Sequence, residues 1–75
     1  MTNTFNGFRN YETWNVALWI NNDPGFYAIA QQVREIGDFI DCIFAQGWTH
    51  TPDGVEFDGP ALDYARLDDL IQEIN

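Results

Sequence analysis

The side chains able to do covalent or metal chemistry are few. There is one cysteine, Cys42, one histidine, His50, and a supply of carboxylates. A nucleophilic pair needs a thiolate within hydrogen-bond reach of an imidazole. Cys42 lies in the apolar stretch "FIDCIF", where a free cysteine behaves as a small buried hydrophobe. His50 lies in a turn-rich loop, where a solvated or capping role is the simpler one. The run "DGVEFDG" supplies Asp53, Glu56 and Asp58 and has the look of a calcium loop. Its spacing departs from the D-x-[DN]-x-[DN]-G pattern, however, and the glutamate at the twelfth position is missing. One cysteine excludes an intrachain disulfide and an all-cysteine metal site. No glycine-rich phosphate loop is present. The expectation is therefore no enzyme, no catalytic residue, no metal and no cofactor.

The carboxylates matter more as a set. Twelve acids face three arginines (Arg9, Arg34, Arg66) and no lysine, for a net charge of −9. Residues 1–37 hold three acids and two arginines, whereas residues 38–75 hold nine acids and Arg66 alone. Binding to DNA, RNA or an anionic membrane rests on Lys and Arg neutralising phosphates, so those partners are excluded. A basic protein is the natural complement. Asp63, Asp68, Asp69 and Glu73 fall on one C-terminal helical stretch, and Asp38, Asp41, Asp53, Glu56 and Asp58 lie in the same half. Helix neighbours three or four residues apart are about 5–6 Å apart, a spacing at which carboxylates imitate the rhythm of phosphates to a basic groove. Trp19 and Trp48 add aromatic anchors, a type favoured at interfaces. The competing explanation is that the acidity only keeps a small apolar-rich domain soluble.

Seventy-five residues make one domain, 1–75, that buries only about 60% of its unfolded surface. With 45% hydrophobic and 16% aromatic residues, it has the material for a dense core. No apolar run approaches the roughly 18 residues of a membrane span. The start "MTNTFNGFRN" does not have the pattern of a signal peptide. Residues 1–9 are expected as a loosely ordered lead-in, with Phe5 and Phe8 able to dock. Asn10 is a good N-cap, with Glu12 in the first turn, and "YETWNVALWI" continues as a helix with Tyr11, Trp14, Ala17 and Leu18 on one face. "NNDPG" ends it, with Asp23 capping the next helix and Pro24 at its first position. Phe26, Ile29, Val33, Ile36, Ile40 and Ile43 follow at 3-4-3-4-3 spacing, which predicts one helix over 24–46 with a kink at Gly37; the alternative is two helices with Asp38 as the second cap. The punctuated stretch 48–58 leaves room for a short β element, which in an α+β alternative pairs with residues 3–9. Pro60 is expected to open the last helix, striped by Tyr64, Leu67, Ile71 and Ile74. The fold expected is mainly α, a compact domain of three or four helices.

Within this plan, Asn10, Tyr11, Glu12, Thr13, Trp14, Leu18, Trp19, Asn22 and Asp23 form a recognisable unit. "NYETWNVALWINND" resembles a group of small phage- and plasmid-encoded proteins marked by an Asn-Tyr-Glu-Thr-Trp start. The resemblance covers about fourteen residues and implies a mobile-element context, in the cytoplasm of a bacterial host, but no activity. The expected function is an inhibitor that binds a basic, nucleic-acid-binding host protein, such as a CRISPR or restriction effector or the transcription machinery, through the acidic face. The alternative is a structural or assembly protein that forms a homodimer through its apolar seam. Five residues apart on a helix, Trp14 and Trp19 are separated by roughly 140°, so one can serve the core while the other faces outward.

Overall fold

The computed structural model describes residues 7–75, which carry four helices: α1 (Tyr11–Asn22), α2 (Pro24–Ala30), α3 (Ile36–Ala45) and α4 (Tyr64–Ile74). The fold is mainly α, as the periodicity predicts. The region expected to hold a short β element is a tight loop whose arms meet in one antiparallel bridge, His50 with Glu56. No longer strand occurs among the described residues. Phe5, and the part of the α+β alternative that needs residues 3–6, lie outside the described residues.

Local chemistry sets the first two helices. Asn10 is extended, and its Oδ1 accepts the Thr13 N–H at 2.9 Å, satisfying one of the unpaired donors of the first turn. Asp23 both terminates α1 and starts α2. Its Oδ1 accepts from Gly25 (2.8 Å) and Phe26 (3.1 Å), and Pro24 takes the first helical position. The two helices therefore join at a corner with no linker.

The continuous helix expected over 24–46 is two helices, interrupted at residues 31–35, upstream of Gly37. The reason is geometric. In a straight helix Phe26 and Phe39 would stand roughly 20 Å apart along the axis. Their ring centroids are 6.2 Å apart, edge to face. Breaking the helix lets both halves bury their apolar faces in one core, and a 75-residue chain has material for only one. The break is closed by residues distant in sequence. Glu35 precedes α3 without capping it, and Asp38 does not cap it either. Asp68, on α4, accepts the Ile36 N–H at 2.7 Å. The Asn75 side-chain amide lies within hydrogen-bond distance of the Ala30, Val33 and Ile71 carbonyls (2.8, 2.7 and 3.0 Å), which holds the end of α2 against the end of α4.

The core is centred on Phe26, Phe39 and Phe57, whose centroids are 5.6–6.2 Å apart in edge-to-face pairs. Val16, Ala17 and Ile20 of α1, Ile43 of α3 and Leu67 and Ile71 of α4 close around them. Phe8 is also buried, with the Arg66 guanidinium 4.5 Å from its ring centre. Of the seam residues, Phe26, Ile36, Ile40 and Ile43 face this core and Ile29 and Val33 pack partly against it. The seam is thus used within the domain, which removes the motive for a dimer built on it. Helix α4 begins at Tyr64 instead of Pro60. Residues 59–63 stay irregular because Tyr64 OH donates to the Gly59 carbonyl (2.7 Å) and the Asn10 amide donates to the Ala61 carbonyl (2.6 Å). Asp63 then caps α4 by accepting the Arg66 N–H at 3.2 Å.

Candidate partner-binding surface

Within the Asn10–Asp23 stretch, Asn10, Thr13, Asn15 and Trp19 fasten the segment between α3 and α4 to α1 instead of forming a free recognition face. Thr13 is fully buried, and its Oγ1 accepts the Asp63 N–H at 3.0 Å. Asn15, also fully buried, is the hub. Its Oδ1 accepts from Thr51 Oγ1 (2.7 Å), and its Nδ2 donates to Asp53 Oδ2 (2.8 Å). The Trp19 indole N–H donates to the same Asp53 oxygen at 2.9 Å. Thr51 in turn accepts the Val55 N–H at 3.1 Å.

The loop is shaped to receive these bonds. "TPDG" (Thr51 to Gly54) is a turn with Pro52 at its second position, closed by the Gly54 N–H on the Thr51 carbonyl at 2.8 Å. Gly54 has φ +92°, a left-handed conformation that glycine adopts without a Cβ penalty. The turn presents Asp53 to α1, and the arms then carry Val55 and Phe57 into the core. The buried face of α1 is accordingly Thr13, Asn15, Val16, Ala17 and Ile20. Tyr11, Trp14 and Leu18, expected at the centre of that face, lie at its exposed or half-buried margin. Apolar spacing does not reveal this face because Thr13 and Asn15 are polar; their burial depends on partners 36 to 50 residues away.

The acidic residues separate into two groups. Asp53, Asp63 and Asp68 are acceptors within the fold, as described above. Asp38 and Asp41 on α3, Glu56 and Asp58 in the loop, and Asp69 and Glu73 on α4 project to solvent. Among the described residues, the one basic side chain within 4.0 Å of a carboxylate is His50, whose Nε2 lies 4.0 Å from Glu56. Trp19 is half-buried and hydrogen-bonded to Asp53, so of the two tryptophans expected as anchors only Trp48 is open, at 39% exposure. Phe44, which by residue type would thicken the seam with Ala30 and Phe39, is instead 37% exposed. In the register it falls three residues beyond Asp41, outside the buried set Ile36, Phe39, Ile40 and Ile43.

Electrostatics follow from this placement. Hydrogen bonds from Asn15 and then Trp19 hold the Asp53 carboxyl below the usual carboxylate range, against a smaller opposing effect of desolvation. Burial, and then the charges of Asp58 and Glu56, push the Tyr64 phenol above its usual range. The Asp53 shift has a definite sign in stability. The unfolded chain takes up the proton first, at about pH 4. The contribution of Asp53 is therefore complete above that pH and is lost as pH falls through its lower folded-state value. Asp53→Asn is expected to flatten the acid limb of a Tm-against-pH curve relative to the parent. Parallel acid limbs would refute the assignment.

Two open grooves flank the helices. One, of about 580 Å³, lies between the start of α1 and the loop, with Tyr11, Glu12, His50 and Glu56 among its walls. The other, of about 700 Å³, is lined by residues 31–35 with Gln72 and Asn75. Cys42 lines neither and is exposed on α3, contrary to the buried position expected for it. Among the described residues, no three of His, Cys, Asp and Glu are gathered as metal ligands. No helix among them is long and apolar enough to cross a membrane.

Comparison with known families places the chain. The model of a family of unknown function, DUF7249, matches residues 1–75. The chain belongs to that family. No curated protein and no solved structure matches it. Membership brings no activity with it.

Proposed function

We propose that this protein is a small inhibitor, carried by a phage or other mobile element, that binds a basic, nucleic-acid-binding host protein through its outward carboxylates. The observation that carries the reading is the second group of acids. Asp38, Asp41, Asp58, Asp69 and Glu73 have no cationic side chain within 4.0 Å among the described residues. With a net charge of −9, they give the surface a field that attracts basic partners and repels nucleic acid. The resemblance of Asn10–Asp23 to phage- and plasmid-encoded proteins supplies the context, and proteins that bind nucleic acid carry the Lys- and Arg-rich surfaces such a field attracts.

The test is affinity capture from a bacterial lysate with two baits, the parent chain and a variant with Asp38→Asn, Asp41→Asn, Asp69→Asn and Glu73→Gln. These four sites are exposed and cap no helix, so the variant is expected to fold. The parent should enrich nucleic-acid-binding proteins that high salt or added heparin releases, and the variant should not. Enrichment of no such protein, or equal retention by both baits, would defeat the reading.

A further inference from the structure

The outer face of α3 differs from the rest of the acidic surface. Asp38, Asp41 and Phe44 are exposed and follow one another at three-residue spacing, which puts successive Cβ atoms about 5–6 Å apart. At the end of the helix, Gly47 has φ +93° and donates to the Phe44 carbonyl (2.9 Å), while the Trp48 N–H donates to the Ile43 carbonyl (3.0 Å). This paired cap folds the chain back sharply and fixes Trp48 beside the last turn. The Trp48 and Phe26 rings meet edge to face, with centroids 5.1 Å apart, and more than a third of Trp48 stays open. An aromatic held this way loses little freedom on binding. The last turn of α3 holds no basic residue, so no cationic side chain offsets the partial negative charge of the helix end.

Helix α4 lacks this combination. Its outward acids, Asp69 and Glu73, have no exposed large apolar neighbour on their own helix; the exposed large apolar residues of the described chain are Tyr11, Phe44 and Trp48. Carboxylates that lead to one partly open aromatic ring, with a second held at the end of the same helix, match one cation better than another. A guanidinium bonds carboxylates through its planar fork and stacks on aromatic faces, whereas an ammonium is a compact, strongly hydrated point charge.

We infer that the outer face of α3, with Phe44 and Trp48, is a docking surface for an arginine-bearing basic segment of the partner, and that α4 contributes only long-range attraction. The inference rests on the basic-partner reading above and narrows it. The test is titration of the isotope-labelled full chain with a nona-arginine and a nona-lysine peptide at low salt, by calorimetry and amide chemical shifts. The arginine peptide should bind roughly three- to five-fold tighter than the lysine peptide, with the largest shifts over residues 38–48. The variant Phe44→Leu/Trp48→Leu keeps apolar bulk against Phe26 but has no π face. It should lose the arginine preference and keep its affinity for the lysine peptide. Asp38→Asn/Asp41→Asn should weaken both peptides, and Asp69→Asn/Glu73→Gln should leave the preference intact. Equal affinity of the parent for the two peptides, or a preference that survives the double leucine variant, overturns the α3 site while leaving the basic-partner reading standing. Binding of neither peptide overturns both.

Discussion

Phe57→Ala is expected to leave the protein largely unfolded at room temperature. Phe57 has no exposed surface and meets both Phe26 and Phe39, at 5.6 and 6.2 Å between centroids. Truncating a buried phenylalanine costs about 3–5 kcal/mol in lost transfer energy and residual cavity. A domain of this size has a total stability near the lower end of the usual 5–15 kcal/mol. The residue is also the only member of the aromatic centre outside a helix, so its loss frees the arm of the loop that it anchors. Phe57→Leu, which keeps most of the volume, should cost less than about 1.5 kcal/mol. Circular dichroism during urea titration separates the two. An alanine variant that melts within a few degrees of the parent would show that the centre of the core lies elsewhere.

The second large effect is polar. Asn15→Ala removes an acceptor for Thr51 Oγ1 and a donor to Asp53 in one step, and Asn15 and Thr51 are both buried. Leaving the buried Thr51 hydroxyl unmatched costs about 1–3 kcal/mol, whereas the exposed Asp53 carboxylate is taken up by water. The expected loss is about 2 kcal/mol, which in a domain of this length lowers Tm by about 8–16 °C. The change should first register in the loop, where the Val55 and Phe57 amides lose protection from hydrogen exchange before the helices melt. Asn22→Ala provides the comparison, because Asn22 donates only to the Leu18 carbonyl at the surface. If the two variants melt together, Asn15 is not the hub described above.

These two residues also mark how far the sequence can be read. Asn10, Asp23 and Pro24 reveal helix boundaries on their own, because a cap bonds residues two or three positions away. The stripe Tyr64, Leu67, Ile71 and Ile74 places α4's inward face for the same local reason, with Leu67 and Ile71 buried and Tyr64 and Ile74 half-buried. The break at residues 31–35 could not be read. A 3-4 repeat is equally consistent with one straight helix and with two that bend around a shared centre, and the choice depends on Phe57, from another segment. The acids were harder still. Asp53, Asp63 and Asp68 have the composition of a solvated face, yet two of the three accept bonds from α1 or α3. Whether a carboxylate is outward or engaged is set by the tertiary arrangement. So the acidic face was legible as a charge and only half legible as a set of residues.

The bonds that hold the loop to α1 have a kinetic side. They join residues 34 to 51 positions apart: Asn10 to Ala61, Thr13 to Asp63, Asn15 to Thr51 and Asp53, Trp19 to Asp53. Small helical proteins fold fast because most of their contacts are local and each helix forms before distant closure is needed. Here α1 buries two polar side chains that find their partners only after the chain has doubled back from the third helix. Closing that span carries an entropic cost before the contacts reward it. The protein has the secondary structure of a helical bundle, but these closures are expected to slow its folding relative to a bundle held by local contacts alone.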